Sequence, residues 1–469
     1  MGHRCNRALG LAVALAALQG CTAPGQLLGH KAAALPMPEG IRVAFNHRAE
    51  ASYRSPISRQ QRSGDDLEAL VLEAIAGAQQ ELLVAVQELS LPKVAQALAA
   101  KHRAGVRVQV VLENTYSTPW SQQHEAELSP HLRHRHHQLR ALADRNHDGQ
   151  LSASEREEGD AVAILQRAGV PLLDDTADGS AGSGLMHSKY LVADRQVVVT
   201  GSTNFTPSCI HGDPDNPRTR GNVNHLLRLD SAELAQLFAE DFARMWGDGP
   251  GGASDSRFGQ AKASGGVQDV MVEGQRVQVL FAPHRRDDPN QGLLLLASTL
   301  AEARQRVDLA LFVFSAQSLT EVIAELQGRG VAIRLLADPG FASRPFSEIL
   351  DLLGASLPDG NCLLEAGNKP LQVPLEGVGI PRLAGGDKLH HKLAVIDNRT
   401  VITGSFNWSP SAAHQNDEVL LVIDSPLLAA HFTREMDRLW RGADLGLNQR
   451  LQRKLDQGKR LCGSGILRQ

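Results

Sequence analysis

The chain of 469 residues has little of what nucleic-acid-binding and disulfide-rich proteins depend on. Its 48 Lys and Arg nearly balance 52 Asp and Glu, for a net charge of -4, so the chain as a whole has no strongly basic footprint. Aromatic residues make up 4%, which leaves few rings on which single-stranded bases could stack. Cys209, Cys362 and Cys462 are too scattered to predict a disulfide framework or a metal cluster, and we expect small buried or incidental thiols.

The composition is otherwise that of a soluble globular protein. Hydrophobic residues make up 42% and charged residues 21%, and the length is enough for about two or three domains. This balance excludes a disordered or collagen-like chain. Beyond the N-terminal region, no apolar run reaches the length of a membrane span.

Residues 1–21 have the three parts of a secretory signal. Arg4 and Arg7 precede an apolar run at residues 8–18, which is too short to cross a bilayer, and small residues follow. The segment Leu-Gln-Gly-Cys that ends at Cys21 resembles a bacterial lipobox. The sequence therefore predicts export to the cell envelope with a lipid anchor on Cys21. The alternative is simple cleavage, which gives a periplasmic or secreted protein.

The rest of the chain repeats itself. Residues 41–45 recur at 277–281, Gly105 recurs as Gly330, and His187 recurs as His390. The distance between copies shrinks from 236 to 225 and then 203 residues, which places the insertions in the first copy. Apolar strand-like runs alternate with helical patterns in both copies. This predicts an α/β fold of two homologous halves, each a mixed β-sheet flanked by helices.

The repeat and the local composition set the predicted boundaries. The first half covers residues 39–246 and the second covers residues 267–445. Between them, residues 247–266 are rich in Gly, Ser and Asp, which is typical of a linker or a long surface loop. A C-terminal tail follows at residues 446–469.

Each half contains one phrase of chemically active residues. Side chains two apart on a strand project to the same face, so each phrase presents an imidazole beside an ammonium, and His391 faces the other way. The following Gly lets backbone approach closely, while Ser and Asn supply groups suited to phosphate oxygens. The phrases are His187-Ser-Lys189 with Asp194 and Gly201-Ser202-Thr-Asn204, and His390-His-Lys392 with Asp397 and Gly404-Ser405-Phe-Asn407.

This repeated phrase resembles the HxKxxxxD and GSxN motifs of the phospholipase D superfamily, and the resemblance covers nearly all of the chain after residue 21. It implies that the halves pack about a pseudo-twofold axis and bring both His-Lys pairs onto one phosphodiester, so one chain supplies the complete site. It further implies a covalent phosphohistidine, a second histidine that acts as the acid, and no metal or other cofactor for this step.

The resemblance also assigns roles to the motif residues. It makes His187 the nucleophile and His390 the acid, an order that the sequence alone leaves open. We interpret Asp194 and Asp397 as structural anchors of the turn after each strand. The side chains expected to hold the non-bridging phosphate oxygens are Lys189, Asn204, Lys392 and Asn407.

The superfamily places an Asn-x-Glu sequence after GSxN, with a carboxylate that orients a catalytic imidazole. The second half has it as Asn416-Asp-Glu418. The first half has Asn222-Val-Asn224, in which an amide replaces the carboxylate. An amide still accepts a hydrogen bond from a ring N–H, so we expect an altered rate or order of proton transfer rather than a loss of activity.

An insertion at about residues 139–159 matches the EF-hand pattern D-x-D/N-x-D/N-G-x5-E. Gly149 allows the sharp turn and Leu151 is expected to face the core. The pattern predicts a stabilising Ca2+, and the alternative is a solvated turn. The His- and Arg-rich stretch before it, residues 131–137, predicts an exposed helical face that could attract an anionic head group. The predicted Ca2+ ligands are Asp144, Asn146, Asp148, Gln150, Ser152 and Glu155.

The substrate stays open, because superfamily members act on phospholipids or on nucleic acids. Export and a lipid anchor would hold the site at a membrane surface, which favours a hydrolase that releases phosphatidic acid from phospholipid. The alternatives are an envelope endonuclease, a cardiolipin synthase-like transferase and a non-catalytic phosphate-binding protein. Two complete His-Lys pairs argue against the last. The sequence leaves the oligomeric state open.

Overall fold

The computed structural model describes residues 34–180 and 184–467, and the predicted signal peptide with Cys21 lies outside the described residues. The strands of the first half are β1 Ile41–Phe45, β2 Ser52–Arg54, β3 Gln61–Ser63, β4 Glu81–Val86, β5 Arg107–Leu112, β6 Leu172–Asp174, β7 Lys189–Ala193, β8 Val197–Gly201 and β9 His225–Asp230. Its helices are α1 Leu67–Gly77, α2 Pro92–Arg103, α3 Pro130–Ala143, α4 Ala153–Gly159, α5 Ala161–Arg167, α6 Pro207–Ile210 and α7 Ala232–Trp246.

The second half follows the same succession of elements. Its strands are β10 Gln268–Val272, β11 Gln275–Ala282, β12 Arg306–Leu311, β13 Ala332–Ala337, β14 Leu363–Leu364, β15 Val378–Ile380, β16 Lys392–Ile396, β17 Thr400–Gly404, β18 Glu418–Asp424, β19 Asp444–Leu445 and β20 Ile466–Leu467. Its helices are α8 Gly292–Ala301, α9 Gln317–Gly328, α10 Glu348–Leu352, α11 Pro410–His414, α12 Pro426–Trp440 and α13 Gln449–Cys462.

The two halves build sheets with the same strand order. The first sheet runs β1-β9-β8-β7-β4-β5-β6, and the second runs β11-β18-β17-β16-β12-β13-β15 with β10 and β19 at its edges. In both, the strands that alternate with helices pair in parallel, and the motif strands β7 and β16 pair antiparallel with their neighbours. The predicted fold class, two duplicated α/β halves with mixed sheets, is confirmed.

A shared apolar core joins the halves. Phe238 on α7 of the first half meets Phe281 on β11 of the second, with ring centroids 5.1 Å apart. The reciprocal pair, Phe432 on α12 and Phe45 on β1, has the same separation of 5.1 Å. Because each contact is repeated by the equivalent residues in reverse, the halves pack about an approximate twofold axis.

The aspartates that close each motif anchor the turn after the motif strand. Asp194 accepts hydrogen bonds of 2.7–2.8 Å from the backbone N–H groups of residues 79–81. Asp397 accepts the equivalent bonds, 2.8–2.9 Å long, from residues 304–306. Each carboxylate therefore ties the end of a motif strand to the start of its antiparallel neighbour, β4 or β12, away from the His-Lys pair.

The segment between the halves differs from a solvent-exposed linker. Phe258 is 1% exposed. The ammonium of Lys262 lies 2.8 Å from Asp241 on α7 and 2.9 Å from Asp417, which immediately precedes β18, and all three side chains are buried. Residues 247–266 are rich in Gly and Ser, but Phe258 and Lys262 within this segment pack into the interior. Lys262 thus joins the two halves through one cation and two carboxylates.

Substituting Lys262→Met is expected to lower the free energy of unfolding by about 3–5 kcal/mol, because two buried carboxylates lose their counter-charge. Chemical denaturation of the purified protein measures the change. Lys93→Met, at an exposed lysine, is the matched control. An unchanged midpoint for Lys262→Met would show that the buried triad does not stabilise the junction.

The C-terminal tail folds back onto the second half. Cys462, at the end of α13, forms a disulfide with Cys362, with Cα atoms 5.1 Å apart, and β20 pairs with β14 beside it. The prediction that these cysteines are incidental thiols is wrong for this pair. A separation of 100 residues hides the contact, because connectivity does not follow from spacing. Cys209 is a buried free thiol, as predicted.

The insertion of the first half forms a helix, a loop and a second helix, α3 to α4. Leu151 packs against Trp120, Leu139 and Ala143. Gly149 takes a positive φ of 78°, which favours glycine at the sharp turn. The bound Ca2+ stays a prediction. Within the described ranges 34–180 and 184–467, no helix has the length and apolar character needed to cross a membrane.

Candidate active site

The two motifs meet at the junction of the halves, where each is fixed by backbone from the opposite half. The N–H of His187 donates to the carbonyl of Asp417 at 2.9 Å, and the N–H of His390 donates to the carbonyl of Val223 at 3.0 Å. Neither half alone can therefore hold its own histidine in this position. Short parallel bridges continue the contact, Met186 with Asp417 and Val223 with Leu389.

Each imidazole is also oriented by a side chain of the opposite half. Nδ1 of His187 lies 2.8 Å from Oε1 and 2.9 Å from Oε2 of Glu418. Nδ1 of His390 lies 3.0 Å from Oδ1 of Asn224. Because these oxygens are acceptors, each Nδ1 carries the proton, and a neutral ring keeps its lone pair on Nε2. His390 is therefore the imidazole that lacks an orienting carboxylate, because Asn224 stands in the place of Glu in the first half.

Both the oxygen and the nitrogen of the Asn224 amide form hydrogen bonds. Its Oδ1 accepts from Ser202 Oγ at 2.8 Å, and its Nδ2 donates to the carbonyls of Cys209 at 3.0 Å and Asn222 at 3.2 Å. A carboxylate here would turn an oxygen toward both carbonyls. Both carbonyls lie in the connection between β8 and β9, and they favour an amide over a carboxylate at position 224.

The glycines of the GSxN motifs allow close approach of backbone, as predicted, whereas the serines have a different task from the one predicted. Ser405 Oγ donates to Glu418 at 2.6 Å, as Ser202 does to Asn224, so both hydroxyls support orienting groups rather than facing a phosphate. A Cβ on Gly201 or Gly404 would collide with the backbone of the adjacent strand, β9 or β18. The motif therefore packs the strands that hold the site. Asn416 adds a weaker bond to Glu418, at 3.3 Å.

The two motif lysines are buried together. The ammonium of Lys189 donates to the His187 carbonyl and lies 3.4 Å from Gln87 Oε1; that of Lys392 donates to the His390 carbonyl at 2.8 Å. Burial lowers the pKa of Lys189 to about 8. Burial and the charge of Lys189 lower the pKa of Lys392 well below its usual range. Two ammonium groups that repel each other in a dry site favour an anion between them.

The motif asparagines keep a polar atom for a ligand. Among the described residues, Oδ1 of Asn204 and Oδ1 of Asn407 are buried without a hydrogen-bond partner. Nδ2 of Asn204 donates to Gln87 at 3.2 Å. Since a buried polar atom without a partner costs free energy, both amides are poised to bind a polar group that enters the site.

Burial keeps both histidines neutral in the ligand-free site. It lowers the pKa of His187 to about 4, even with Glu418 acting in the opposite direction. Burial and the ammonium groups of Lys392 and Lys189 lower the pKa of His390 well below its usual range. An anionic phosphodiester would offset the lysine charges and favour protonation of one ring, which is the state that a nucleophile and an acid together require.

Both histidines line one cleft of about 340 Å³, and the inserted helix α3 forms one of its walls. His131 and His134 of α3 line it and are exposed, as predicted. Arg135 and His136 are instead 8% and 5% exposed. The exposed face predicted for residues 131–137 is wrong for these two, because Arg135 pairs with Glu88 at 2.6 Å beneath the helix.

Sequence reasoning missed four residues of the site. Gln87 follows β4 and binds Lys189, whereas Phe312 follows β12 and places its ring 4.8 Å from the Lys392 ammonium. These two occupy equivalent positions, 225 residues apart, so the repeat spacing could have found them. Asp175 accepts the Met186 N–H at 2.8 Å and Asp338 accepts the Leu389 N–H at 3.0 Å, which fixes the backbone before each motif histidine.

His391 contacts the opposite side of its strand from His390. Its Nε2 lies 3.1 Å from Glu435 and its Nδ1 lies 2.9 Å from Nδ1 of His225, and the side chain is fully buried. It packs at the junction of the halves and is not part of the cleft.

A family model described as "Cardiolipin synthase, PLD-like domain" matches residues 71–246 and 296–440. The chain belongs to this phospholipase D-like family. The resemblance found in the two motifs is thereby confirmed for both halves, and the protein is an enzyme of the phospholipase D superfamily. The matched ranges contain both His-Lys pairs and the residues that orient them.

Two similar proteins cover part of the chain. The mitochondrial cardiolipin hydrolase of Xenopus tropicalis is 30% identical over 162 residues, which is 34% of this chain and 65% of that protein, so less than two thirds of the relative is spanned. A phospholipase D of Rickettsia bellii (strain RML369-C) is 27% identical over 159 residues, 34% of this chain and 66% of that protein.

A solved structure matches nearly the whole fold. The phosphatidylserine synthase of Haemophilus influenzae Rd KW20 aligns with a TM-score of 0.53 at 12% identity, over 91% of this chain and 94% of that chain. At this identity the likeness shows the fold alone. The phospholipase D-like architecture of two halves therefore extends over the chain.

Substituting Glu418→Gln is expected to lower kcat/KM on a soluble phosphodiester, bis(p-nitrophenyl) phosphate, by about 10²–10⁴-fold. The amide keeps the shape but removes the charge beside His187 Nδ1. Steady-state kinetics measure the effect, and Glu302→Gln, at an exposed glutamate of the same half, is the control. Activity within threefold of the parent would show that Glu418 does not assist His187.

Proposed function

We propose that the protein is a phospholipase D-type phosphodiesterase that hydrolyses phospholipid to phosphatidic acid through a phosphohistidine. The observation that carries the proposal is the cleft lined by both motif histidines, each bound through its carbonyl by a buried lysine and each oriented through its imidazole by the opposite half. One anionic phosphate can be bound by two ammonium groups and flanked by two imidazoles there. The site residues alone account for this chemistry.

In the first step, Nε2 of His187 attacks phosphorus while His390, protonated in the substrate complex, gives its proton to the departing oxygen. The P–O bond to the leaving group breaks as the P–N bond forms. In the second step, His390 takes a proton from water, the water oxygen attacks phosphorus, and the P–N bond to His187 breaks. Lys189, Lys392 and the motif asparagines hold the non-bridging oxygens throughout.

The difference between the two orienting groups supports this order. Attack through Nε2 leaves a positive charge on the His187 ring, and the Glu418 carboxylate at 2.8 Å stabilises that charge. His390 has only the neutral amide of Asn224. Its imidazolium is therefore less stabilised and more acidic, which suits the group that donates a proton.

The relatives support a phospholipid as the substrate. The matched proteins are named cardiolipin hydrolase and phospholipase D, and the near-balanced charge of -4 offers little attraction for nucleic acid. The signal at residues 1–21 supports the further proposal of export, with the site held at a membrane surface by a lipid on Cys21. The description of the family model favours a second candidate, a cardiolipin synthase, in which an alcohol replaces water in the second step.

Activity on defined substrates tests the proposal. The purified protein is expected to release phosphatidic acid from cardiolipin, phosphatidylglycerol or phosphatidylcholine vesicles, and His187→Ala and His390→Ala are each expected to lose at least about 10³-fold in rate. The surface variant His124→Ala should keep full activity. Reactions with added glycerol or phosphatidylglycerol reveal transfer, and single- and double-stranded DNA reveal nuclease activity.

Each outcome has one meaning. Phosphatidic acid release that depends on both histidines supports the hydrolase, and transfer in preference to hydrolysis replaces it with the synthase. Cleavage of DNA without turnover of any lipid overturns the lipid proposal in favour of a nuclease. Inactivity on every diester, with phosphate binding retained, identifies a binding module and overturns the enzyme.

We also propose Ca2+ at the inserted loop, in a stabilising role. Asp144 and Asp148 already accept backbone N–H groups of the loop, and Glu155 accepts the N–H of Ser152 at 3.0 Å as it caps α4. These bonds pre-arrange oxygen donors of the kind that Ca2+ takes. Helix α3 runs directly from the loop to the wall of the cleft, so an ion there would also brace the cleft.

Substituting Glu155→Gln is expected to remove one equivalent of bound Ca2+ and to raise KM severalfold, because the loop loses its bidentate carboxylate and α3 loosens. Equilibrium dialysis measures the ion and steady-state kinetics measure KM. Glu157→Gln, on the exposed side of α4, should change neither. Retention of the full number of Ca2+ equivalents by Glu155→Gln would reject the loop as a site.

A further inference from the structure

Three carboxylates of the second half, two of them buried and one half-buried, form one cluster away from the residues that bind the phosphate. Glu348 and Asp351 belong to α10, and Glu365 follows β14. Each offers an oxygen, and these oxygens all lie within 4.8 Å of one another. Glu348 and Asp351 are each 1% exposed, so water cannot solvate them as it does the acids of the surface.

Two of these carboxylates each have one oxygen that forms no hydrogen bond with the described residues. Among the described residues, Glu348 Oε2 and Asp351 Oδ1 are buried without a hydrogen bond. The second oxygen of Asp351 accepts the backbone N–H of Lys369 at 2.8 Å, which fixes the orientation of the group. Buried carboxylate oxygens are rarely left in this state, because their desolvation is not compensated.

No basic side chain neutralises the cluster within residues 34–180 and 184–467. The neighbouring Lys369 ammonium pairs instead with the exposed Glu321, at 2.9 Å. Other buried acids of the protein are paired with a basic side chain: Glu435 pairs with Arg438, and Asp241 pairs with Lys262. The cluster therefore has up to three negative charges, two of them on buried side chains, and no basic side chain of the described residues beside them.

We propose that Glu348, Asp351 and Glu365 bind a divalent cation, Ca2+, at a second and independent site. Ca2+ takes carboxylate oxygens at about 2.3–2.6 Å, so oxygens up to about 5 Å apart reach the same ion. Mg2+ keeps several waters, for which a site this buried has little room. The amide of Gln317 contacts Asp351, and its Oε1 also lacks a partner, so rotation of this amide supplies a fourth oxygen.

The position of the cluster gives the ion a structural consequence. The N–H of Glu348 donates to the carbonyl of Phe314 at 3.1 Å. In the segment just before α10, Phe341 packs on Phe312 with centroids 4.5 Å apart, and Phe312 packs on His390 at 4.6 Å. A cation at the cluster would fasten the end of this segment, whose Phe341 supports the Phe312 ring beside His390.

The competing account is that the cluster holds protons instead of a metal. In the absence of a cation, burial and the neighbouring carboxylates raise the pKa of Glu348 to about 9, and burial raises that of Glu365 to about 7. The two accounts differ in one measurable respect, because only a metal site gains stability from added Ca2+.

The test uses the full protein in the Glu155→Gln background, where the predicted calcium loop has lost its main ligand. After removal of metal with EGTA, Ca2+ alone is the probe. Substituting Glu348→Gln is expected to remove one further equivalent of bound Ca2+ and to abolish a Ca2+-induced rise in Tm of about 3 °C. In EGTA, the variant should be at least as stable as its parent, because the amide removes repulsion between carboxylates.

The matched control is Glu321→Gln, a neighbouring glutamate outside the cluster, which should bind and respond as the parent does. Equal Ca2+ equivalents and equal Tm rises in the parent and in Glu348→Gln would overturn the proposal. A parent that binds no Ca2+ would overturn it too and leave the carboxyls protonated. Activity plays no part in the readout, so failure here is distinct from failure of the proposed reaction.

Discussion

The exchange of contacts across the junction is the constraint on which the rest of the site depends. The backbone before each motif histidine pairs with the opposite half, and each imidazole is held by a side chain of that half. Each lysine is placed together with its histidine, because it begins the strand, β7 or β16, two residues after that histidine. The geometry of the site and the packing of the two sheets are therefore coupled, and a shift of the junction would displace both histidines together.

Much of this arrangement can be predicted from the sequence. The repeated His-Lys phrase predicts the duplicated halves and the residues that meet, because strand alternation sets which side chains project together. The sequence does not reveal which side chains form hydrogen bonds with each other. Ser202 and Ser405 look like phosphate ligands until the structure shows them supporting Asn224 and Glu418.

The remaining differences depend on long-range packing, which local composition does not encode. Cys362 and Cys462 meet because the tail folds back over 100 residues, and Lys262 is buried although its segment has the composition of a loop. Arg135 lies in a stretch typical of a solvated helix, yet its partner Glu88 comes from a distant strand end. In each case the deciding contact is between residues far apart in the chain, so no local pattern predicts it.

Joining both halves in one polypeptide releases them from identity. A pair of identical subunits must present the same groups on both sides of its axis. This chain instead places Glu418 beside one imidazole and Asn224 beside the other. Equivalent positions of the two halves likewise hold different residues, Gln87 beside Lys189 and Phe312 beside Lys392. A single chain thereby allows the two histidines to have different partners, which exact symmetry would forbid. The carbonyls of Cys209 and Asn222 both accept from the Asn224 amide, so a return to a carboxylate at this position would forfeit two hydrogen bonds as well as change the charge beside His390.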